Sequence, residues 1–502
     1  MIEIESIRPV LALLCPLTAA FLILASRNNP NIREGWTMIG SVMQFLVVLS
    51  MVLIIKDLEG GVILYSAFNM LPGVDLAFKV DAFGLLFALT SASLWILVSS
   101  YSIGYMRSLH EHAQTRYYFC FAFAILGAEG VAMSANLLTM FIFYEILTVA
   151  TYPLVAHDQT EEALFAGRKY LAYLLTSGVF FLAASLITYS FVGTTDFRNG
   201  GILTVDSASR SALMILFVLF LMGFMKSAWM PFHSWLPTAM AAPTPVSALL
   251  HAVAVVKAGV FGIVRIVCYI YGVDLMSQLG LGMLLASIAA FTMITASLFA
   301  IAQDNLKRRL AYSTISQLSY ILFGVALLKP MGVTGAMLHI PFHGFMKITL
   351  FLCAGSIMVA SGKKNISELA GIGRIMPFTM FAFTVGAIGM AGAPPACGFV
   401  SKWFLCMGTL EAENLALLAV ILISSLLDVV YFFPIIYIAF FGKPKEAELT
   451  NGGKREIKES SPFMVIPLTI TAIFSIIFCV PNPISNVIIT LAKIAVTSLG
   501  GV

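Results

Sequence analysis

Charged residues are scarce in this chain of 502 residues: 11% are Asp, Glu, Lys or Arg, whereas 60% are hydrophobic. Soluble proteins carry about 25% charged residues, so this composition excludes a soluble globular chain. The apolar runs are continuous over about 18 to 25 residues, which excludes an outer-membrane barrel, whose strands alternate every second residue. Because a spanning helix needs about 20 apolar residues, we predict an all-α polytopic membrane protein.

Cofactor and energy-coupling motifs are also missing. The seven cysteines lie scattered through apolar runs without a C-x-x-C pair, so we expect no disulfide framework, no metal site and no iron–sulfur cluster. No G-x-G-x-x-G or Walker signature stands in a strand-to-helix context, and no cleavable signal peptide is evident. We therefore expect no cofactor and no nucleic-acid partner, and we expect energy to enter through partner subunits or an ion gradient.

Segmentation at polar clusters and turn residues predicts fourteen transmembrane helices. They begin near residues 8, 36, 80, 117, 136, 168, 211, 246, 278, 308, 332, 375, 415 and 463. If the N-terminus is outside, the odd-numbered connections carry 17 basic residues and the opposite side carries seven. The positive-inside rule then predicts a multi-pass protein of the cell's inner (plasma) membrane, with Gly442–Ser461 cytoplasmic and both termini external.

Five basic residues fall inside apolar runs. They are Lys226, Lys257, Arg265, Lys347 and Lys402. A charge at a helix centre costs about 2.5–3.5 kcal/mol, so four central lysines would cost on the order of 10 kcal/mol unless they are paired, hydrated or neutral. Arg265 lies near the end of its predicted helix, and we expect it to be a snorkelling anchor.

Acidic residues at comparable depth are fewer than these lysines. Glu145 and Asp428 lie in apolar runs, and Glu129 lies nearer a helix end. Burial disfavours a charged ammonium and a neighbouring carboxylate favours it, so a row of lysines with few acids can exchange protons near physiological pH. Snorkelling lysines or static ion pairs are the alternative.

Proline interrupts two predicted helices beside a lysine. Pro231 and Pro237 follow Lys226, and Pro394 and Pro395 precede Lys402. Mid-helix proline frees backbone carbonyls, which lipid tolerates only where protein or a water-filled cavity satisfies them. Paired broken helices point to a transport pathway built from inverted repeats. Two ordinary proline kinks are the simpler alternative.

A rough internal repeat divides the chain. Residues 117–270 and 278–441 each comprise five predicted helices, and because five is odd, consecutive copies must lie in opposite orientation. Residues 1–116 then form an N-terminal segment of three helices. Residues 442–502 form a cytoplasmic loop, helix fourteen and an external tail.

Three titratable residues share one helical face in the second repeat. His339, His343 and Lys347 stand at positions i, i+4 and i+8, a stripe of about 12 Å. Such a stripe indicates a proton relay more than it indicates packing. His251 and Lys257 are six residues apart and do not share a face, so that pair is weaker support.

Three sequence blocks resemble a known family. They are FKVDAFGLLFALT near residue 80, SANLLTMFIFYEILTVATYPLV over residues 134–155, and above all PFHSWLPTAMAAPTPVSALLHAVAVVKAGVFGIVR over residues 231–265. These blocks are similar to the antiporter-like membrane subunits of respiratory complex I, membrane-bound hydrogenases and related ferredoxin-linked complexes, and Mrp multisubunit cation/proton antiporters. The resemblance implies fourteen helices with two inverted five-helix repeats, each containing one broken helix.

The resemblance also implies residue roles, by matching position. Glu145 would be the glutamate of helix five and Lys226 the lysine of helix seven, with their ion pair acting as a switch. The remaining path residues would be His251 and Lys257 on helix eight, His339, His343 and Lys347 on helix eleven, and Lys402 on helix twelve. Asp428 matches no family role, and we treat it, with Glu129, as an accessory candidate.

Departures from the family pattern weaken the resemblance to the complex I members of the family. Many complex I members read WLPDAM and AMEAPT, whereas this chain has Thr238 and Ala241 at the acidic positions. Only about 20 residues follow helix fourteen, so we expect no lateral arm like that of the largest complex I subunit. Size and the block over residues 251–265 resemble Mrp-type or hydrogenase-type members.

We therefore predict a proton-translocating subunit of a multisubunit complex, with homologous membrane subunits and lipid as partners and sodium as a candidate counter-ion. A subunit of a complex I-like NADH/ferredoxin:quinone oxidoreductase is the alternative, and a non-conducting scaffold is a minor one. A redox enzyme in its own right would need facing axial histidines or cysteine ligands, and the sequence offers no such set.

Overall fold

The computed structural model describes residues 2–57, 60–71, 74–443 and 457–500, and its architecture is mainly helical. In chain order the α-helices are α1 Arg8–Ala25, α2 Pro30–Asp57, α3 Ala82–Ser108, α4 Gln114–Ala132, α5 Leu137–Val155, α6 Glu161–Val192, α7 Arg210–Gly223, α8 Trp235–Thr238, α9 Thr244–Ala248, α10 Val255–Arg265, α11 Val273–Leu279, α12 Leu281–Ile301, α13 Leu306–Ala326, α14 Pro330–Ser361, α15 Pro377–Ala391, α16 Gly398–Glu411, α17 Leu415–Phe441, α18 Pro462–Ile477 and α19 Pro483–Thr497.

Within the described ranges, nine helical stretches are long and apolar enough to cross a membrane. They are α1, α2, α3, α5, α6, the continuous stretch Thr244–Tyr271, α12, α14 and α17. Four apolar helices are shorter: α7, α15, α18 and α19. These stretches make the chain a multi-pass membrane protein. The count of fourteen spans and the inverted relation of the two repeats stay predictions.

Side-chain caps begin several of these helices. Asp81 accepts a hydrogen bond from the backbone N of Gly84 at 2.7 Å, and Asn136 accepts one from Thr139 N at 2.8 Å. Asn305 caps α13 in the same way. Each cap satisfies a backbone N–H that has no partner inside its own helix, and lipid could not satisfy it.

A small β-sheet departs from the predicted all-α architecture. Strands β1 Glu3–Glu5, β2 Val62–Leu71 and β3 Val74–Val80 pair in the order β1-β2-β3, with β1 parallel to β2 and β2 antiparallel to β3. The segment between α2 and α3 is divided by Gly60, Gly61, Pro72 and Gly73 into runs too short for a further span, and these runs are rich in branched and aromatic residues, which favour strands. The all-α prediction is therefore corrected at this face of the protein.

Both predicted helix breaks are present. After α7 ends at Gly223, a 3₁₀ turn over Met225–Ser227 follows, Ala228 takes a left-handed conformation, and Pro231 lies in the irregular stretch before α8. Pro237 lies in α8 itself. The second break separates α15 from α16 at Gly392, Pro394 and Pro395, and each break contains a cis proline, at Pro231 and at Pro395.

The carboxy-terminal segment contains a helix that was not predicted. Helix α19 occupies the predicted external tail, where Asn482 and Ser485 form a reciprocal cap, and it packs against α3 and α14. Of the predicted cytoplasmic loop Gly442–Ser461, residues 444–456 lie outside the described residues.

The most buried helices lie at the centre of the molecule. The stretch Thr244–Tyr271 is fully enclosed, and α14 contacts α3, α13, α15, α16, α18 and α19. Helices α1, α2, α6, α12 and α17 surround this centre and expose apolar side chains, among them Val179, Phe291 and Leu426. The predicted ionisable residues are therefore carried mainly by the elements that are best shielded from the surroundings.

Candidate functional site

The eight predicted path residues are nearly all enclosed by protein. Lys226, His251, Lys257, His339, His343 and Lys347 are fully buried, Lys402 is 5% exposed, and Glu145 is half-buried. Enclosed charges in a membrane protein are costly unless polar groups surround them, so the partners of each residue decide what it can do.

Lys226 lies in a cluster at the first helix break. We name it the amino-terminal cluster, and its members are Lys226, Tyr144, Ser177 and Gly223. Its Nζ donates a hydrogen bond to the backbone O of Tyr144 and lies 3.2 Å from the centroid of the Tyr144 ring. The carbonyl O of Gly223, freed where α7 ends, accepts hydrogen bonds from Tyr144 Oη at 3.1 Å and Ser177 Oγ at 2.6 Å. The cluster thus holds the lysine by a carbonyl and an aromatic face.

Glu145 lies beside this cluster without closing an ion pair. Among the described residues, no lysine nitrogen comes within 4.0 Å of its carboxylate, and its buried Oε1 has no hydrogen-bond partner. The carboxylate rests against Gly178 of α6, where a Cβ atom would collide with it. The predicted Glu145–Lys226 pair is therefore open in this structure.

Lys257 and His343 join helix α10 to helix α14. Lys257 Nζ lies 2.8 Å from His343 Nδ1, so α10 and α14 are connected by a direct hydrogen bond between two titratable groups. The 3₁₀ turn that carries Lys226 packs against α10. Lys257 and His343 were predicted in different parts of the path, and the structure brings these two side chains together.

His339 continues the connection along α14. Its ring centroid lies 5.8 Å from that of His343, which confirms that the two histidines share a face. His339 Nδ1 lies 2.8 Å from Ser401 Oγ, and its Nε2 lies 3.1 Å from Gln317 Oε1. Gln317 Nε2 in turn donates to Asp428 Oδ2 at 2.8 Å, so His339 is linked through one amide to a buried carboxylate.

Lys402 and Asp428 form a closed ion pair beside the second helix break. Lys402 Nζ lies 2.7 Å from Asp428 Oδ2 and also donates to the carbonyl O of Met390 at 2.8 Å, near the end of α15. The negative end of that helix dipole also favours the ammonium. Gly392 has a left-handed φ of 82° and lies in close contact with the aliphatic part of the Lys402 side chain. A side chain at position 392 would strain the backbone and collide with Lys402.

A branch connects this ion pair to Lys347. The Tyr431 hydroxyl donates to Asp428 and lies 3.0 Å from Ser313 Oγ, to which Lys347 Nζ donates at 2.9 Å. Lys347 also donates to the carbonyl O of Leu310 at 3.2 Å.

His251 joins the same branch through α13. Its Nδ1 lies 3.0 Å from Thr314 Oγ1, and Thr314 Oγ1 donates to the carbonyl O of Leu310, the carbonyl that also accepts from Lys347. The ring of Phe351 lies 4.7 Å from the His251 ring. His251 and Lys257, which do not share a helical face, therefore contact different members of one network.

We name the connected set the carboxy-terminal network. Its ionisable members are His251, Lys257, His339, His343, Lys347, Lys402 and Asp428, and its neutral links are Ser313, Thr314, Gln317 and Tyr431. Asp428, an accessory candidate from sequence, accepts from three different side chains here. The neutral links were missed, although the run Ser-Thr-Ile-Ser-Gln-Leu-Ser-Tyr over residues 313–320 places an unusual density of hydroxyl and amide groups in the largely buried helix α13.

Arg265 corrects one expectation. It is 1% exposed and makes two hydrogen bonds to Asp81, at 2.5 and 2.7 Å, with four aromatic rings around its guanidinium. It is therefore a buried ion-pair partner and not a snorkelling anchor. The prediction was wrong because the partner Asp81 lies 184 residues away in the chain and is invisible to local sequence patterns.

Glu129, the other accessory candidate, lies in the last turn of α4. Its side chain is fully buried, and neither carboxylate oxygen has a hydrogen-bond partner among the described residues. It does not contact the carboxy-terminal network through any hydrogen bond, so the structure leaves it outside the connected set.

A polar cavity of about 580 Å³ opens near the network on the face that carries the basic loops. Its lining includes Glu111, Asp158, Lys307 and Lys364. Lys307 lies one helical turn before Leu310, the residue whose carbonyl joins Lys347 to Thr314. The cavity therefore reaches to within a turn of the buried groups.

Burial shifts the protonation of the loop residues beside this cavity. Burial, together with the neighbouring charge of Asp158, raises the pKa of Glu111, and burial raises the pKa of Asp158. Burial, reinforced by the charges of His112 and Arg116, lowers the pKa of His157 to about 4. At neutral pH the His157 imidazole is therefore uncharged.

Comparison with known proteins gives one family match. Residues 134–428 match the family described as "NADH:quinone oxidoreductase/Mrp antiporter, TM". The chain is 31% identical over 426 residues to the NADH-quinone oxidoreductase subunit N of Desulforudis audaxviator, covering 83% of this chain and 84% of that protein. It is 26% identical to an Na(+)/H(+) antiporter subunit of Bacillus subtilis, covering 93% of each.

A longer relative and a solved structure extend the likeness. The chain is 28% identical to the Na(+)/H(+) antiporter subunit A1 of Staphylococcus haemolyticus and spans only 63% of that protein's length. A chain in the structure of the membrane-bound sulfane sulfur reductase, an archaeal respiratory membrane complex, superposes with a TM-score of 0.86 at 25% identity, covering 99% of this chain and all of that one. The whole length of the chain thus shares one fold with a subunit of a multisubunit membrane complex.

Proposed function

The chain belongs to the NADH:quinone oxidoreductase/Mrp antiporter family of membrane subunits, and we propose that it moves protons through the carboxy-terminal network. One observation carries this proposal: hydrogen bonds join Lys257 to His343 and run from His339 through Gln317 and Asp428 to Lys402, and the rings of His343 and His339 lie 5.8 Å apart between these two stretches. Proton transfer needs such a row of groups that exchange protons, directly or through single waters.

The polar cavity is the proposed entry to this path. Protons would pass from its lining to His251 and Lys347 through the α13 turn, then to Asp428 through Ser313 and Tyr431. Lys402 is the last member, and we propose that it releases protons toward the opposite face. His343 and Lys257 would carry the connection back to the first repeat.

The amino-terminal cluster is the proposed switch. With the Glu145 carboxylate away from Lys226, the ammonium lacks its counter-charge, and the fully enclosed site favours the neutral amine. Closing the pair would let Lys226 hold a proton. The half-buried position of Glu145 and the lack of a partner on its Oε1 support a carboxylate that moves between two positions.

The proposed partners are other membrane subunits of the same complex, homologous antiporter-like subunits among them, together with lipid on the exposed apolar faces. We propose an Mrp-type or hydrogenase-type complex. The likeness to an Na(+)/H(+) antiporter subunit over 93% of both chains supports exchange against sodium.

A redox-driven complex I-like pump is the second candidate. The 31% identity to an NADH-quinone oxidoreductase subunit and the fold shared with a respiratory reductase subunit favour it. In vesicles holding the intact complex, a sodium gradient without an electron donor would drive proton movement in the antiporter. Movement only after an electron donor is added would establish redox drive.

The path itself is tested by two lysine variants. Lys347→Met and Lys402→Met keep the length of the side chain and remove the titrating group. With the complex in vesicles and a pH-sensitive dye, we expect each variant to stop proton transfer, whereas Lys329→Met, on an exposed lysine, should keep the wild-type rate. Wild-type rates in both buried variants would reject the relay in favour of the scaffold.

The proposed orientation in the plasma membrane is tested by labelling. With the partly buried Cys15, Cys406 and Cys479 replaced by serine, one cysteine is introduced at Lys364 or at Asp206, on loops predicted to face opposite sides. An impermeant thiol reagent outside intact cells should label only the Asp206→Cys variant. Labelling of the Lys364→Cys variant alone would reverse the topology.

A further inference from the structure

Two loops beside the polar cavity bring a carboxylate and two imidazoles together. Glu111 and His112 lie between α3 and α4, and His157 lies between α5 and α6. One ligand atom of each lies within 4.8 Å of the others, and the Glu111 carboxylate is 4.0 Å from a ring nitrogen of each histidine. The three residues come from two separate connections of the chain, so no local sequence motif predicts the cluster.

His157 is the member that structural packing does not explain. It is fully buried, and neither ring nitrogen has a hydrogen-bond partner among the described residues. Its Nε2 faces Glu111, its ring packs against the rings of His112 and Tyr117, and Arg116 binds only the backbone O of His157, at 3.0 Å. A buried imidazole without a partner loses the hydrogen bonds that water would give it, so such a group calls for a ligand.

The separations match a metal ion of ordinary size. Three atoms no more than 4.8 Å apart surround a point within about 2.8 Å of each, and zinc bonds to nitrogen and oxygen are about 2.0–2.2 Å long. An inward shift of well under 1 Å per ligand would complete the coordination. His112 is half-exposed and Glu111 is one-fifth exposed, so water can supply a fourth ligand and the ion can enter from the surface.

We propose that Glu111, His112 and His157 bind one divalent transition-metal ion with the preferences of Zn²⁺. Two imidazoles and one carboxylate form a mixed nitrogen and oxygen set that suits zinc, whereas calcium and magnesium prefer oxygen ligands alone. The nearby carboxylate of Asp158, which lines the same cavity as Glu111, adds negative charge that favours the cation.

The site would act on the mouth of the cavity. A bound ion would fasten the α3–α4 loop to the α5–α6 loop and would hold the Glu111 carboxylate away from the protons entering there. Inhibition of transport by Zn²⁺ follows, and this consequence rests on the proposed function. Metal binding itself does not depend on it.

Binding is measured on the purified intact complex with Zn²⁺ by isothermal titration calorimetry. We expect one tight site per chain in the wild type and at least a tenfold loss of affinity in His157→Gln and in Glu111→Gln. His110→Gln is the matched control, because His110 lies exposed in the same loop and outside the cluster, and its affinity should not change.

Two further readouts keep the proposal falsifiable if a variant folds poorly. Co²⁺ bound to the wild type should show the visible absorption of a nitrogen- and oxygen-ligated ion, and His110→Gln should show the same spectrum. In vesicles, Zn²⁺ should slow wild-type transport and leave a folded His157→Gln complex unaffected. Wild-type Zn²⁺ affinity in folded His157→Gln, or loss of affinity in His110→Gln, would overturn the metal site; binding without inhibition would overturn only its effect on transport.

Discussion

The two helix breaks each carry a lysine, yet the surroundings of these lysines differ. Lys402 is closed on Asp428 at 2.7 Å, whereas Lys226 has no carboxylate of the described residues within 4.0 Å and contacts a carbonyl and an aromatic ring instead. The acid of the second site is fully buried, and Glu145 of the first is half-buried. One molecule therefore shows a lysine with its counter-charge and a lysine without it.

This difference suits the closed pair to stabilising the fold and the open site to switching. Removing one partner of a closed buried ion pair strongly lowers the free energy of unfolding, because the other charge is left enclosed and uncompensated. An open site already lacks the pair, so removing its acid changes little in the structure described here. We infer that the pair of Lys402 and Asp428 contributes to stability as well as to the proposed path, and that Lys226 and Glu145 respond to changes in their neighbours.

The largest effect is expected at the closed pair. Asp428→Asn leaves the Lys402 ammonium enclosed and should destabilise the protein by about 3–5 kcal/mol, seen as a clear fall in Tm in detergent, together with loss of transport. The double variant Lys402→Met with Asp428→Leu should recover most of the Tm without recovering transport. An unchanged Tm in Asp428→Asn would show that the pair is not closed.

The open site should give the opposite profile. Glu145→Gln is expected to change stability by less than about 1 kcal/mol, because no ion pair is lost, and to abolish most proton movement in vesicles. Lys226→Ala should also stop transport while the complex still assembles. A fall in Tm as large as that of Asp428→Asn would mean that Glu145 and Lys226 are paired most of the time, and near-normal transport in either variant would remove the pair from the mechanism.

An intermediate effect is expected at the amide that links His339 to Asp428. Gln317→Met keeps the approximate length of the side chain and removes both hydrogen bonds, so we expect transport to slow about tenfold, equivalent to a barrier increase of about 1.4 kcal/mol. Dye-based rates in vesicles provide the measurement. A rate equal to the wild type would show that protons bypass Gln317.

The smallest effect is expected at Tyr431. Tyr431→Phe removes one hydroxyl from the branch between Asp428 and Lys347 and leaves the closed pair intact. Loss of one hydrogen bond costs about 1 kcal/mol, so a fall in rate of only a few-fold should follow. Complete loss of transport would show that water cannot replace the Tyr431 hydroxyl between Ser313 and Asp428.

Sequence patterns predicted well what local spacing determines. The stripe of His339 and His343, the two proline breaks and the enclosed lysines follow from periodicity and from the cost of charge in lipid. The patterns could not predict partners contributed by distant helices. Arg265 was therefore misjudged, because its partner Asp81 lies far away in the chain. Asp428, the partner of Lys402, was left without a role for the same reason.

The same reason explains what the sequence missed at the surface. The β-strands before α3 and the cluster of Glu111, His112 and His157 arise where separate connections meet in three dimensions. Helix α19 is not predicted from the sequence because its 15 residues are too few for a full span. Neutral links such as Gln317 carry no charge, so the energetic cost of charge in lipid does not reveal them.

The proposed coupling of the Lys226 switch to the path depends most on the contact between Lys257 and His343, a direct hydrogen bond between a titratable group of α10 and one of α14. The most direct test is proton transport by His343→Gln in vesicles holding the intact complex, with the exposed His110→Gln as control. We predict that His343→Gln stops transport while Tm stays near the wild-type value, because both lysine sites at the helix breaks are untouched. Wild-type transport in His343→Gln would contradict a coupling of the two lysine sites through this contact.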